Sequence, residues 1–347
     1  MPHPRVLRDT DADPGFLREA RVGVVGFGNQ GQAQALCLRD SGINVQVFTR
    51  PGGPSEVRAR ALGFEPAAAE AAAECAVLAL LVPDEAQDAV QREFVEPYAR
   101  RGSLLVYAHG FALRHGAETP RADLDLAIVG PLGPGALLRS RYEQGTGLAG
   151  LLAVVRDGSG SAERGALAYA HAVGLTRAGL LPTTLDEEVV SDLFAEQVVL
   201  CGGVPELIRA AWSTLVADGI SEEIAFYSCV QELKQILDLV HAEGLAGMRA
   251  RISGTAQYGG LTRGPRIIGP EARKAMKDAL EQIRDGSFAE EWTAEQAGGA
   301  AELARMRSEE AEHPMEEAGR RVRRGLSGVP DPPAESGGGV DSPHPEN

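Results

Sequence analysis

The sequence predicts an α/β Rossmann domain, doubly wound with a mostly parallel sheet, followed by an all-α second domain. Three observations carry this. Between Arg21 and about Leu180, short apolar β-branched runs alternate with longer helical patterns. Continuous apolar strands separated by helices indicate a parallel sheet covered on both faces. One such strand runs straight into a glycine-rich turn, RVGVVGFGNQG, and from about Thr183 the strand pattern stops, leaving helical patterns only.

Six runs read as strands in order: RVGVVGFG, INVQVFTR, CAVLALLVP, GSLLVYAHG, LDLAIVGPLGP and GLLAVVRD. Their short lengths and β-branched content favour strand over buried helix. Beyond them, DEEVVSDLFAEQVVLCGGVPELIRAAWSTLVADG, SEEIAFYSCVQELKQILDLVHAEGL and PEARKAMKDALEQIRDGS read as long helices. The dinucleotide-type domain is assigned to residues 1–182 and the helical domain to 183–327. Residues 328–347, GVPDPPAESGGGVDSPHPEN, are rich in Pro, Gly and Ser with almost nothing to bury, so a disordered tail is expected there.

At 347 residues, 44% of them hydrophobic, the chain can build two substantial cores. A net charge of −15 argues against a nucleic-acid partner, which needs a basic face. Cys37, Cys75, Cys201 and Cys229 are scattered without a CxxC and read as buried free thiols in a reducing compartment. The N-terminus lacks a basic-then-apolar leader, and no apolar run approaches the ~18 residues of a membrane span. A soluble cytoplasmic protein without membrane partners is the expectation.

Gly26, Gly28 and Gly31 form G-x-G-x-x-G directly after an apolar strand, and Asn29 and Gln30 open the helical pattern that follows. Such glycines permit a tight turn and close approach of backbone to a pyrophosphate, with the helix N-terminus facing the phosphates. A glycine-rich turn without nucleotide is the alternative. At the end of the second strand, where an acidic residue would hold the ribose hydroxyls of NAD, stand Arg50 and, just beyond, Ser55. A cation and a hydroxyl suit the 2′-phosphate of NADP, although Arg50 can equally be read as a solvated surface charge.

In SDLFAEQ, Asp192 and Glu196 are four apart, which puts both carboxylates on one helical face. Helical domains that bind divalent metals use such pairs, and two carboxylates facing water is the plainer reading. Glu232 lies on a later helix, with Ser228 one turn before it. The stretch GPLGPG sets Leu132 between two Gly-Pro units, an apolar side chain in a turn whose make-up suits ligand contact.

These stretches together resemble the ketol-acid reductoisomerases, specifically the shorter class with a single knot-forming helical domain. The resemblance covers roughly residues 5–326 through GFGNQGQAQAL, LLVPDE, YAHGF, GPLGPG, TTLDEEVVSDLFAEQVVLCGG, ELK, ISGTAQYG, GPR and EAEHP. It implies a Rossmann domain, a knotted helical domain, and homodimers whose active sites combine both subunits. It also implies NADPH and Mg²⁺, which serve to move an alkyl group within a 2-aceto-2-hydroxy acid and then reduce the 2-keto acid formed, on the way to branched-chain amino acids.

Position by position, the resemblance assigns His109 as the active-site histidine and Asp192 as the carboxylate bridging both magnesium ions. Glu196 becomes its partner on the first ion, Glu232 a ligand of the second from the other subunit, and Ser253 the holder of the substrate carboxylate. The departures are equally specific. The catalytic lysine position is Leu132, and the other second-metal glutamate position is Ser228. Gly254, Gln257 and Gln32 replace the usual Asp, Glu and His. Two missing cationic and anionic groups bear harder on alkyl migration, which relies on two cations at a developing alkoxide, than on hydride delivery. Three readings follow: an NADPH-dependent reductase of a 2-keto acid, ketol acid or related imine, with specialised metabolism as one setting; a full reductoisomerase; and a catalytically dead NADP-binding regulator or scaffold.

Overall fold

The computed structural model describes residues 5–325; the tail expected at 328–347 lies outside them. Two compact units part between Asp192 and Leu193. The sequence-based boundary at 182/183 marks where strands end, whereas the compact unit runs on because the first turns of the next helix bury Glu188, Val189 and Val190.

The first unit is built on a seven-stranded sheet of order β2-β1-β3-β4-β5-β6-β7. Its strands are β1 (Arg21–Val25), β2 (Asn44–Phe48), β3 (Cys75–Leu80), β4 (Leu104–Tyr107), β5 (Asp125–Pro131), β6 (Gly150–Arg156) and β7 (Leu180–Pro182). All pairings are parallel except β5 with β6. The seventh strand was missed, since a three-residue Leu-Leu-Pro run gives no alternation to read. Around the sheet lie α1 (Asn29–Asp40), α2 (Pro54–Ala61), α3 (Asp84–Val90), α4 (Glu96–Tyr98), α5 (Phe111–His115), α6 (Gly135–Glu143), α7 (Ala162–Ala172), α8 (Leu175–Ala178) and α9 (Leu185–Ala195).

The central strands β1, β3, β4 and β5 are dry on both faces, as their apolar runs require. One core gathers Val22, Val24, Val77, Val106, Ala127 and Val129 under α1 and α7, and the other gathers Val25, Leu78, Leu80, Leu105 and Ile128. Alternate residues of each strand thus serve opposite cores, the period-two consequence of a pleated strand. This sandwich fixes the C-terminal strand ends, where a doubly wound sheet carries its ligands.

The second unit is helical: α10 (Gly203–Ala217), α11 (Glu222–Phe226), α12 (Glu232–Ala250), α13 (Gly254–Ile267), α14 (Pro270–Asp285), α15 (Ser287–Ala297), α16 (Ala301–Ala311) and α17 (Pro314–Gly325). α12 kinks at Gly244, whose φ of 72° favours glycine. A small core of Trp212, Ala225, Phe226, Ala318 and Val322 joins α10, α11 and α17. Two π-helical turns interrupt the ladders, at Glu196–Leu200 and Tyr227–Gln231.

Much apolar surface of this unit is uncovered, including Leu200, Leu207, Leu245 and Leu261. The continuous helical run Leu185–Ala217 is long and apolar enough to cross a membrane by length and composition alone. The expectation of four buried thiols needs correction. Cys37 and Cys75 are buried, but Cys229 is half-buried and Cys201 is exposed, because Cys201 follows the first π turn beside the uncovered Val199 and Leu200.

Candidate functional site

The glycine loop has the geometry that a dinucleotide requires. Gly26 takes φ +93°, and a Cβ there would meet the Leu81 carbonyl oxygen at 2.8 Å. A Cβ on Gly31 would lie 2.2 Å from the Gly26 carbonyl oxygen, so α1 can approach the loop only through glycine. At Gly28 nothing stands within 4 Å, leaving open space where a pyrophosphate approaches backbone. Asn29 starts α1 at this point. The three glycines therefore divide the work of turn, approach and packing, and the loop fits the cofactor implied by the resemblance.

At the β2 end, Gly53 caps α2, Pro54 occupies its first turn and Arg50 is exposed. Ser55 is half-buried, and its Oγ accepts from Nη2 of Arg58 at 2.9 Å. Arg58 was not singled out from the sequence. The signal available was its i+3 spacing from Ser55 on a short helix, which brings the two side chains together.

The chemical centre of the first unit forms where β4, β5 and α9 meet. β4 delivers Ala108, His109 and Gly110. His109 Nδ1 lies 2.9 Å from Glu188 Oε1 and 3.3 Å from Asp192 Oδ2. The backbone N–H of Gly110 donates to Glu188 Oε2 at 3.0 Å. Glu188 is only 3% exposed, so both of its oxygens are spent on holding this segment. A Cβ on Gly110 would stand 2.8 Å from Glu188 Oε2 and 2.6 Å from Leu185, which makes glycine necessary for the contact.

Burial works against a charge on His109. The hydrogen bond to Glu188, with the charges of Glu188, Asp192 and Asp84, outweighs it and lifts the imidazole to about 9. Burial also raises the carboxyl groups of Asp192 and Asp84 above their ordinary value, partly offset by His109. His109 Nε2 is buried and has no partner among the described residues. A buried polar atom of this kind calls for a ligand, and a doubly protonated ring would present it as a donor.

Glu188 was not singled out either, although it sits one turn before Asp192 on the same helix. The donor atoms of His109, Glu188 and Asp192 lie within 4.8 Å of one another. Glu188 already spends its two oxygens on His109 and Gly110, so the half-buried Asp192 carboxylate is the member suited to a hard cation.

The turn with Leu132 begins where β5 ends. A Cβ at Gly130 would lie 3.0 Å from the Ala108 carbonyl oxygen and 3.7 Å from Glu188 Oε1, so the strand end borders the His109 cluster. Leu132 donates its N–H to the Ala149 carbonyl at 2.9 Å, yet its side chain is 47% exposed. It is no core residue.

The remaining sequence-derived positions belong to the second unit. Glu196 opens the first π turn and is exposed. Ser228 lies inside the second π turn, and Glu232 follows directly as the first residue of α12, also exposed. Single π turns within α-helices concentrate at functional sites. Ser253 caps α13, its Oγ accepting from the Ala256 N–H at 3.2 Å. Carboxylate oxygens from Asp192, Glu196 and Glu232 are hard donors of the kind Mg²⁺ takes.

Two family models match in tandem. One is described as the acetohydroxy acid isomeroreductase NADPH-binding domain, over residues 16–179, and the other as the ketol-acid reductoisomerase C-terminal domain, over residues 185–327. The "Ketol-acid reductoisomerase (NADP(+))" of Methanocaldococcus jannaschii is 44% identical over 321 residues, 92% of this chain and 97% of that one. A structure described as an NADH-preferring ketol-acid reductoisomerase from an uncultured archean superposes with a TM-score of 0.89 at 40% identity, covering 93% of this chain and 99% of the other. A semialdehyde dehydrogenase NAD-binding protein from Cupriavidus necator, 19% identical with a TM-score of 0.61, shares the fold alone over 77% of this chain and 99% of its own.

Proposed function

This chain belongs to the ketol-acid reductoisomerase family, and from that premise we propose that it is an NADPH-dependent reductase of a 2-keto acid, ketol acid or related imine, with alkyl migration impaired. The observation that carries the reading is Leu132, 47% exposed at the strand end that borders the His109 cluster. The resemblance puts the catalytic lysine there, and a leucine supplies neither cation nor proton.

NADPH, when bound, would supply the hydride, and Mg²⁺ on Asp192, Glu196 and a partner subunit's copy of Glu232 would polarise the substrate oxygens. What the chain's own residues do is narrower. His109, held charged by Glu188 and its neighbours, directs a proton at Nε2 towards the oxygen that becomes a hydroxyl. Glu188 fixes the ring so that this proton points one way. Reduction needs that proton and an oriented carbonyl. Migration needs in addition the charge lost at positions 132 and 228.

Arg50, Ser55 and Arg58 support NADPH over NADH through the 2′-phosphate. The uncovered apolar surface of the helical unit supports a homodimer, since patches of this kind mark interfaces. A dimer would also cover the apolar run Leu185–Ala217, in keeping with a cytoplasmic enzyme.

Retention of Asp192, Glu196 and Glu232, with the 44% identity to an enzyme named for the full reaction, favours a second reading: a complete Mg²⁺-dependent reductoisomerase of branched-chain amino-acid biosynthesis. The same retention speaks against a dead scaffold. The deciding experiment supplies the protein, NADPH and Mg²⁺ with acetolactate or with the rearranged 3-hydroxy-2-ketoisovalerate. The reductase reading expects NADPH oxidation with the second and little dihydroxyisovalerate from the first. Brisk turnover of acetolactate establishes the full enzyme instead.

A further inference from the structure

The Gln30 side chain donates from Nε2 to the Gly133 carbonyl oxygen at 3.1 Å. Its Oε1 accepts from Gln34 Nε2 at 3.1 Å, and Gln34 Oε1 accepts from the Tyr169 phenol at 2.7 Å. A carbonyl only accepts, so the bond to Gly133 fixes the orientation of both amides and makes the phenol the terminal donor. Gln34 and Tyr169 are fully buried, and burial pushes the phenol well above its ordinary range, so it remains a donor at any working pH. The chain of bonds runs from the sheet-covering helix α7, across α1, to the turn that carries Leu132.

A second contact lies beside the first. A Cβ on Gly135 would stand 2.1 Å from the Asn29 carbonyl oxygen, so the start of α6 and the start of α1 touch backbone to backbone. The glycine loop ends at Asn29 and the turn ends at Gly135. Two segments with separate tasks are thus tied at two points, and Gln30 is the polar one. Its side chain is committed to the turn, which leaves the loop's backbone to meet a pyrophosphate.

We propose that Gln30 is a positioning residue: it makes the dinucleotide loop and the Leu132 turn move as one, so that cofactor occupancy sets where the turn stands against the substrate. The tie is read from the hydrogen bonds; its bearing on substrate rests on the reductase reading above. Without Gln30 Nε2, the turn keeps its own bonds, Leu132 N–H to Ala149 and Gly133 N–H to Pro131, but no longer senses the loop.

Hydrogen–deuterium exchange on the full-length protein tests this, read over the amides of residues 132–138 with and without saturating NADPH. The expected result is at least about fivefold slower exchange on NADPH binding in the wild type, falling below about twofold in Gln30→Leu. The KM for 3-hydroxy-2-ketoisovalerate should rise about tenfold in that variant, with kcat less affected. Gln30→Glu sets an acceptor against the Gly133 carbonyl while keeping the shape. It should behave in the same way and serves if the leucine variant does not fold. Undiminished protection in either folded variant overturns the proposal, as does wild-type exchange that ignores NADPH. Failure of both variants to fold makes Gln30 merely structural and overturns it too. Absence of NADPH oxidation with the keto acid would sink the reductase reading alone, because exchange is measured without turnover.

Discussion

His109 and Glu188 share a 2.9 Å contact between Nδ1 and Oε1, and the neighbouring Gly110 N–H binds the same carboxylate's other oxygen. One buried acid therefore sets both the orientation and the charge of the imidazole. In metal-free protein, an NMR titration should find His109 changing charge near 9 rather than at the ordinary 6.5. Because the folded value is the higher, the stabilisation is fully present below pH 6.5 and is lost as pH rises through 9. Glu188→Gln should bring the titration down and flatten that part of the stability profile. An unmoved midpoint in the variant would show that Glu188 does not set the charge.

Cofactor choice should follow the β2 end. NADPH should bind at least tenfold more tightly than NADH, a difference of about 1.4 kcal/mol. Ser55→Asp should reverse the preference by repelling the 2′-phosphate. Arg58→Ala should weaken NADPH several-fold while sparing NADH. Equal fluorescence titrations for both nucleotides in the wild type would contradict the assignment.

Metal dependence should centre on Asp192. Asp192→Ala is expected to abolish Mg²⁺-stimulated activity and the corresponding heat in calorimetry. Full activity in excess chelator would mean that the carboxylates are relics.

Leucine 132 and serine 228 should act as a unit. Leu132→Lys alone should restore acetolactate turnover only partly, since the second cation would still lack an oxygen donor. Adding Ser228→Glu should help more than the sum of the two single changes, as groups sharing one catalytic task are not additive. Strict additivity in the product assay would assign the two positions to separate tasks.

Gly135→Ala should destabilise the protein by about 1–3 kcal/mol, the usual effect of forcing an atom into packed structure, because its Cβ would meet backbone of Asn29 rather than a movable side chain. Urea unfolding measures this, and an unchanged midpoint at unchanged slope would show that α1 and α6 can part at no cost.

The glycine loop and six of the strands were legible because their signals are local: apolar β-branched runs and glycines at fixed offsets. Asp192 was singled out on an equally local signal, its spacing from Glu196, and the fold sets it beside His109 and Glu188. Glu188 was harder, since its importance comes from β4 arriving beside α9, a contact between residues 78 apart. Gln30 illustrates the same limit. Its place in the loop motif was plain, but the amide's bond to Gly133, 103 residues away, arises only when the starts of α1 and α6 are packed together, across strands β1 and β5 that are not neighbours in the sheet. The antiparallel turn-back of β6 also left no mark, because a run as uniformly apolar as GLLAVV reads alike in either direction.

The two π turns of the helical unit make residue count a structural property in its own right. Each accommodates one more residue than an α-helical turn does, and one residue is about 100° of helical rotation. Removing a single residue from 227–231 would let the helix close into ordinary α geometry and swing Glu232 and everything after it on α12 through that angle. A point substitution there alters one side chain, whereas a one-residue deletion re-aims an entire helix face. Length in these segments therefore sets the direction of a whole helix face, whereas the identity of residue 228 leaves that direction alone.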